Sequence, residues 1–309
     1  MTTPNISIVL PTRNGAATLP GVLESVLGQR SRFSFDVVAV DSGSTDGTVN
    51  LLRQRGVKIV SILPRDFDHG LSRNLAIEHA SGELIVLLVQ DAVPSSDGWL
   101  DALAAPFDRD ERLAGTWARQ RPRDDASAIA RHYLNQWIGG SSRARTADLA
   151  DRDRFESLDA TARLELCTFD NVCSCIRRSV WERHPFKATP IAEDLQWAKD
   201  VLLAGYRLAY VPAAEVVHSH DRSARYEFAR TCILHRRLYE LFGLRTIPDV
   251  CSLARAVASS TVLHARCQRS DGIGGYPRAI ALAWAWPLGQ YIGALSAVRN
   301  WKPWRPGFV

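Results

Sequence analysis

Val37-Val-Ala-Val-Asp-Ser-Gly-Ser-Thr-Asp-Gly-Thr48 is the stretch whose reading decides the fold of this 309-residue chain. An apolar, β-branched run that ends in a carboxylate and two glycines predicts a buried strand handing polar groups to a tight turn at its carboxyl end. Open α/β sheets bind ligands at that rim. The acids, hydroxyls and flexible backbone of Asp41 to Thr48 can hydrogen-bond a ribose, a base edge or a phosphate. The same residues also fit an ordinary loop leading to a helix capped by Asp46, so the neighbouring segments have to decide.

Those segments repeat the pattern. Ile6 to Leu10 reads as a strand, Pro11 to Gly15 as the loop at its end, and Leu19, Val22, Leu23, Val26 and Leu27 recur at helical spacing. Asp36 to Val40 is the second strand, followed by a helix through Val49, Leu51 and Leu52. Val57 to Leu63 predicts a third strand, His69 to Ala80 a helix and Leu84 to Val89 a fourth strand. Strand and helix in alternation imply an α/β fold, a mostly parallel twisted sheet with helices on both faces. Right-handed crossovers then bring the three loops to one rim. Further along, Arg119 to Arg154 is polar and aperiodic and reads as a long functional loop or a partly mobile segment. Val172 to Arg177 is a strand, Ala192 to Ala204 a helix, and Leu208 to Val211 and Glu215 to His218 two more strands.

The composition, 46% hydrophobic and 23% charged, is that of a globular chain and excludes a disordered one. A net charge of +5 favours anionic partners. The arginines are dispersed without a basic block, so nucleic acid is not indicated as a partner. Six cysteines without a CxxC pair argue against a zinc ribbon or a thioredoxin-like site and for reduced thiols. The amino terminus lacks the basic and apolar regions of a signal peptide, which makes a cytoplasmic location the expectation. Ala279 to Val298 contains no charged residue and is flanked by Arg278, Arg299, Lys302 and Arg305, with Trp284, Trp286, Trp301 and Trp304 in or beside it. Pro287, Gln290 and small residues make it a poor membrane span. It is read as a helix lying at a membrane interface or packing on a partner, with a buried helix pair closing the domain as the alternative.

Ile8-Val-Leu-Pro-Thr-Arg-Asn14, Val38-Ala-Val-Asp-Ser-Gly-Ser-Thr-Asp-Gly-Thr48 and Phe67-Asp-His-Gly-Leu-Ser-Arg-Asn-Leu-Ala76, in this order and spacing, resemble the nucleotide-binding half of family 2 glycosyltransferases with the GT-A fold. The likeness extends over about the first 220 residues. It implies a nucleotide-sugar-binding half over 1–115, an acceptor-binding and catalytic half of the same domain over 116–225, and a helical C-terminal region over 226–309. By the same resemblance Pro11, Thr12 and Asn14 line the donor pocket, Asp41 meets the base edge, Ser44 shapes the ribose side, and His69, Arg73 and Gln90 belong to the donor site.

Family members usually hold a divalent metal with a DxD motif after the fourth strand. Here the segment is Val89-Gln-Asp-Ala-Val-Pro94, so Asp91 matches the second acid and valine replaces the first. One carboxylate with diphosphate oxygens can hold Mg²⁺ or Mn²⁺, and a histidine suits Mn²⁺. His218-Ser-His220 offers one, and the resemblance assigns the metal to His218 ahead of His220. Glu193-Asp194 resembles the family's ED motif. Asp194 is then the general base that removes the proton from the acceptor hydroxyl, with Glu193, Trp197 and His220 expected on the acceptor side. The implied reaction is a single inverting displacement. Phe67-Asp-His-Gly, Gln90-Asp91-Ala92 and His218-Ser-His220 are most similar to bacterial rhamnosyltransferases using dTDP-L-rhamnose. The implied partners are the nucleotide-sugar donor, a lipid-linked or polysaccharide acceptor, and the inner face of the cytoplasmic membrane. A family member using a UDP- or GDP-sugar and a non-catalytic sugar-nucleotide-binding subunit are the alternatives. A dehydrogenase is disfavoured, because no GxGxxG follows the first strand.

Overall fold

The computed structural model describes residues 5–301. Lys302, Trp304 and Arg305, named above as flanks of the apolar tail, lie outside the described residues. The chain divides into two compact units: one of residues up to Arg121 with Ile138–Ser157 and Leu166–His218, the other of Pro122–Trp137, Leu158–Glu165 and residues from Ser219 onward.

In the first unit β1 (Ile6–Thr12), α1 (Leu19–Leu27), β2 (Phe35–Asp41), α2 (Thr48–Gln54), β3 (Lys58–Ser61), α3 (His69–Glu78) and β4 (Leu84–Leu88) follow the alternation of apolar runs. β5 (Val93–Pro94), α4 (Trp99–Ala104) and β6 (Leu113–Arg121) come next. β1 and β4 are apolar almost throughout because both faces of the sheet are covered. Ile6, Ile8 and Leu10 are fully enclosed by Leu19, Val22, Leu23 and Val26 of α1 and by the neighbouring strands. Each such side chain contributes about 1.5–3 kcal/mol of burial. Ser7 is the polar exception, and its hydroxyl accepts the N–H groups of Ser81 and Gly82.

β3, β2, β1 and β4 pair in parallel, with Thr12 opposite Asp41 at their carboxyl ends. Beyond β4 the sheet becomes mixed. β8 (Cys173–Arg177) runs antiparallel to β4 and to β6, and β6 is parallel to β9 (Arg207–Val217). β9 also takes β5 and β7 (Arg145–Ala147) antiparallel. This register gathers the ends of β1, β2, β4, β6 and β9 and the start of β8 on one rim.

Three segments differ from the expectation drawn above. β9 is one strand rather than two, because its pairing with β6 skips from Val211 to Glu215. Pro212, which has no N–H for the ladder, sits in that irregularity. Arg119–Arg154 is not one long loop: β6 runs to Arg121, and α5 (Ala128–Gln136), β7 and the start of α6 (Arg152–Ser157) follow. α5 belongs to the second unit and buries Ile129. β6 itself was not foreseen.

The second unit contains α5, α7 (Ala160–Leu166), α10 (Ala224–Phe242), α11 (Val250–Gln268) and α12 (Tyr276–Val298), while α8 (Arg178–Trp181) and α9 (Glu193–Leu203) stay with the sheet. α10 starts at Ser223, whose hydroxyl accepts from Tyr226 N–H, and ends at Gly243 in the left-handed region. The apolar tail is α12, and it packs on α10 and α11. Gly289 and Gly293, one turn apart, let the two backbones approach: a Cβ on Gly289 would stand 2.8 Å from Thr231 and 2.9 Å from the Phe228 carbonyl, and one on Gly293 would strike the Cys232 carbonyl. Trp286 turns inward, donating its indole N–H to Glu227 and meeting Tyr133 and His264 edge-on. Trp284 and Trp301 stay exposed. No helix among the described residues is long and apolar enough to cross a membrane.

Candidate active site

The opening stretch and the loop after β1 build one wall of the rim together. Asp41 is only 2% exposed, and its carboxylate accepts N–H groups of Gly43 and Ser44 and the hydroxyls of Ser44 and Thr12. A base edge reaches Asp41 only by displacing one of these donors, so in this state Asp41 shapes the wall. Asn14 stands at φ 45°, in the left-handed region that asparagine tolerates. It accepts from Thr45 N–H and donates its own N–H to Ser44 Oγ. Gly15 and Ala16 donate to Thr48 Oγ1 and Asp46. Asp46 therefore ties the two loops, and the residue capping α2 is Gly47. Gln90 clips the first loop to the end of β4, accepting from Arg13 N–H and donating to its carbonyl. Thr12 is buried, and Pro11 is the residue before it on β1.

α3 carries the residues that hold the carboxylate motif in place. Asp68 caps the helix through Gly70 and Leu71 N–H and accepts from Thr189 N–H with its other oxygen. Gly70 is required because a Cβ there would run into the Lys187 carbonyl. Asn74 accepts from Trp181 Nε1 and Phe186 N–H and donates to the Phe186 carbonyl. The 181–193 segment is thereby stitched to α3. Arg73 closes it with an ion pair to Glu193 at 2.9 Å, the two side chains 6% and 7% exposed, while also donating to the His69 carbonyl. The guanidinium expected to hold the donor is thus committed to the ED motif. His69 is exposed at the start of α3, edge-on to Phe67.

Ala192, just before the motif, stands at φ 63°. A non-glycine residue there is strained by about 1–2 kcal/mol, and the left-handed step turns Glu193 and Asp194 into the first turn of α9. Asp194 accepts the Leu195 N–H at 2.7 Å and lies 3.4 Å from the Asn171 N–H. Burial, reinforced by Glu193 and Asp170, pushes its carboxyl well above the usual carboxylate range. Glu193 goes the other way. Burial raises it, but Arg73, His69 and a hydrogen bond from Asn171 outweigh burial and hold it ionised. Two adjacent carboxyls pushed apart in pKa form the arrangement expected of an acid–base site.

Trp197, expected on the acceptor side, is 1% exposed. Its indole donates to the His184 carbonyl and its ring lies between Phe169 and Phe186. It fixes α9 from within and offers an acceptor no surface. Glu193 is likewise buried against Arg73. Cys173 and Cys175 are buried thiols whose pKa is raised by desolvation, and they are inert as nucleophiles.

Across the rim, His218 Nε2 stands 3.6 Å from Asp91 Oδ1. His220 follows two residues on, and one ligand atom from each of Asp91, His218 and His220 lies within 4.8 Å of the other two. One carboxylate and two imidazoles fit a borderline divalent cation such as Mn²⁺ better than all-oxygen-seeking Mg²⁺. His218 Nδ1 is 2.9 Å from Gln120 Oε1, and Gln120 Nε2 donates to Asp170 at 2.7 Å. Gln120, Asp170, Asn171, Asp68 and Asn74 were not singled out from the sequence. Gln120 sits at the end of the unforeseen β6, and only the polar Asp170-Asn171 step before an apolar strand hinted at a role.

Residues 7–183 match the family model described as glycosyl transferase family 2. The O-antigen chain rhamnosyltransferase RfbN of Salmonella typhimurium is 32% identical over 230 residues, 73% of this chain and 69% of that protein. WbaN of Salmonella anatum, described in the same words, is 29% identical over 74% of this chain and 70% of its own length. Among solved structures, the mannosyltransferase PcManGT of Pyrobaculum calidifontis, in complex with GDP-Man and Mn²⁺, superposes with a TM-score of 0.57 at 20% identity, covering 98% of this chain and 77% of that one. Glucosyl-3-phosphoglycerate synthase of Mycobacterium tuberculosis, in complex with UDP, gives 0.54 at 22% identity over 80% and 82%.

Proposed function

The chain belongs to glycosyl transferase family 2, and from that premise we propose that it moves L-rhamnose from dTDP-L-rhamnose to a saccharide acceptor of a cell-surface glycan, with inversion at the anomeric carbon. The observation that carries this reading is the convergence on one rim of a cluster that could hold a cation, Asp91 with His218 and His220, and a half-buried carboxyl of raised pKa, Asp194. The donor sugar rests on the two rhamnosyltransferase relatives, and a UDP- or GDP-sugar is the alternative.

Asp194 takes the proton of the acceptor hydroxyl as that oxygen bonds to the anomeric carbon. The bond from that carbon to the diphosphate oxygen breaks in the same step, and the electron pair leaves with the nucleoside diphosphate. Asp91 and His218 would hold a divalent cation, whose positive charge would offset the charge growing on the departing diphosphate. The loops of Pro11 to Asn14 and Asp41 to Ser44 grip the nucleoside. Arg73 acts through Glu193, keeping the ED motif ionised at one residue and seated at the next. A lipid-linked acceptor at the inner face of the cytoplasmic membrane agrees with the exposed Ile280 and Trp284 of α12 and the exposed Ile273 and Trp301 just beyond its two ends.

Asp91→Ala tests the cation site. Transfer from dTDP-L-rhamnose, followed as released dTDP, should fall by more than about 100-fold, beyond what loss of an outer-shell partner costs. EDTA should reduce the wild type to the same level, and Mn²⁺ should restore the wild type alone. Transfer indifferent to both EDTA and the substitution would refute a cation-assisted reaction.

A further inference from the structure

We propose that Arg13 is a diphosphate-binding residue of the donor site, its guanidinium taking the phosphate-clamping role that Arg73 cannot fill. The inference rests on the nucleotide-sugar reading of this rim and adds the group that meets the donor's charge. Arg73, expected at the donor, is closed into its ion pair with Glu193 and donates to the His69 carbonyl. Arg13 is in the opposite situation. Its Nη1 is buried with no hydrogen-bond partner, and its guanidinium makes no hydrogen bond or ion pair among the described residues. Asp41 and Asp46, the acids that tie the same loop, accept N–H groups and hydroxyls and leave the guanidinium alone. A buried cationic donor without a partner is costly. In a folded protein it asks for an explanation, of which a ligand anion is one.

The backbone of Arg13 seats it for that ligand. Its N–H donates to Gln90 Oε1 at 2.9 Å, and its carbonyl accepts from Gln90 Nε2 at 3.0 Å. Gln90 precedes Asp91, so this clip holds Arg13 beside the strand end that carries the candidate cation ligand. The residue as a whole is partly exposed, at the rim rather than in the core. A planar guanidinium offers paired N–H donors to two phosphate oxygens, a geometry that suits the diphosphate of a nucleotide sugar. Arg178 supplies the contrast. Its Nη2 is also buried without a partner, but its Nε and Nη1 donate to the Gly82 and Ile77 carbonyls, so it is a structural tie. Arg13 has no such tie. A side chain held for a ligand at a cost to the fold should, when replaced, lose binding and gain stability.

Calorimetric titration of wild type, Arg13→Met and Arg13→Lys with thymidine and with dTDP, in EDTA and again with Mn²⁺, separates recognition of charge from recognition of the nucleoside. Arg13→Met should bind dTDP about 10–100-fold more weakly than wild type in both conditions, the loss of a charge-assisted hydrogen bond. It should bind thymidine as well as wild type does. Arg13→Lys keeps the charge without the fork and should fall between the two. Without ligand, Arg13→Met should melt at a higher temperature than wild type, because methionine keeps an apolar stem and removes the unpartnered charge. Equal dTDP affinity in wild type and Arg13→Met would overturn the inference. So would an equal loss for thymidine and dTDP, which would make Arg13 part of the nucleoside grip. A lower melting temperature in Arg13→Met would overturn it too, by showing that the protein itself satisfies the guanidinium. Wild type that binds neither thymidine nor dTDP in either condition would refute the nucleotide reading, and the inference with it.

Discussion

Asp194→Asn is expected to lower kcat by about 1,000-fold, within the range a general base contributes, while leaving donor binding intact and raising the melting temperature at neutral pH. The two halves of this result have one cause. Asp194 is held where burial and the charges of Glu193 and Asp170 disfavour its ionised form. The folded protein binds its proton more tightly than the unfolded chain does, for which the carboxyl titrates near about 3.9. Ionisation therefore costs folding free energy: nothing at pH values below the unfolded pKa, progressively more as pH rises through the raised folded value, and the full amount above it. Asparagine cannot ionise, and it still accepts the Leu195 N–H. The stability gain of the variant should accordingly grow with pH and vanish in acid, read as the difference in melting temperature between wild type and variant at about pH 4 and pH 8. The same raised pKa places the acidic limb of the wild-type kcat/KM profile above the ordinary carboxylate range. A variant that loses activity without this pH-dependent gain would mean that Asp194 is not a strained base.

Arg73→Met has the largest expected effect on folding. It strips the partner from Glu193, whose side chain is 7% exposed. Removing one member of a buried pair costs about 3–5 kcal/mol, because the other is left uncompensated. The pair does not need to be net stabilising for this to hold, and Arg73→Met combined with Glu193→Gln should recover much of the loss in urea unfolding. The sign with pH follows from Glu193, whose carboxyl is held below its ordinary value. The wild-type contribution is present above the unfolded pKa of about 4.3 and is lost as pH falls through the folded value. Transfer should fall with stability in the single variant, since Arg73 seats the residue preceding Asp194. Equal stability of Arg73→Met and wild type would show that Glu193 finds another partner.

The parallel part of the sheet was legible because its signals are local. The apolar runs at Ile6, Val37 and Leu84 each end in glycine-rich or polar turns, and a parallel sheet covered on both faces asks for nothing more. β6 was hidden because Gly115 and Arg119 interrupt its apolar character. Gly115 is explained only by tertiary structure: the rings of Phe169 and Trp197 lie where its side chain would be. α5 was hidden by its short apolar face, which packs near α11 within the second unit. The Glu193-Asp194 carboxylates and the histidine pair could be named from motifs, but their environments could not. Nothing local in the sequence indicates that Arg73 belongs to Glu193, 120 positions away, or that Gln120 and Asp170 stand behind His218. Trp197 shows the converse: an aromatic residue close to the Glu193-Asp194 pair suggests a substrate platform, whereas here it is core.

The most direct test of a nucleotide-sugar site at this rim is calorimetric titration of the wild-type protein with dTDP-L-rhamnose, UDP-glucose and GDP-mannose in the presence of Mn²⁺, repeated with EDTA. The result expected is saturable binding of dTDP-L-rhamnose, tighter than of either other donor and weakened at least about tenfold by EDTA, corresponding to about 1.4 kcal/mol. Absence of binding by all three donors with Mn²⁺ present would contradict the site itself, and preferential binding of UDP-glucose or GDP-mannose would contradict the assignment of rhamnose.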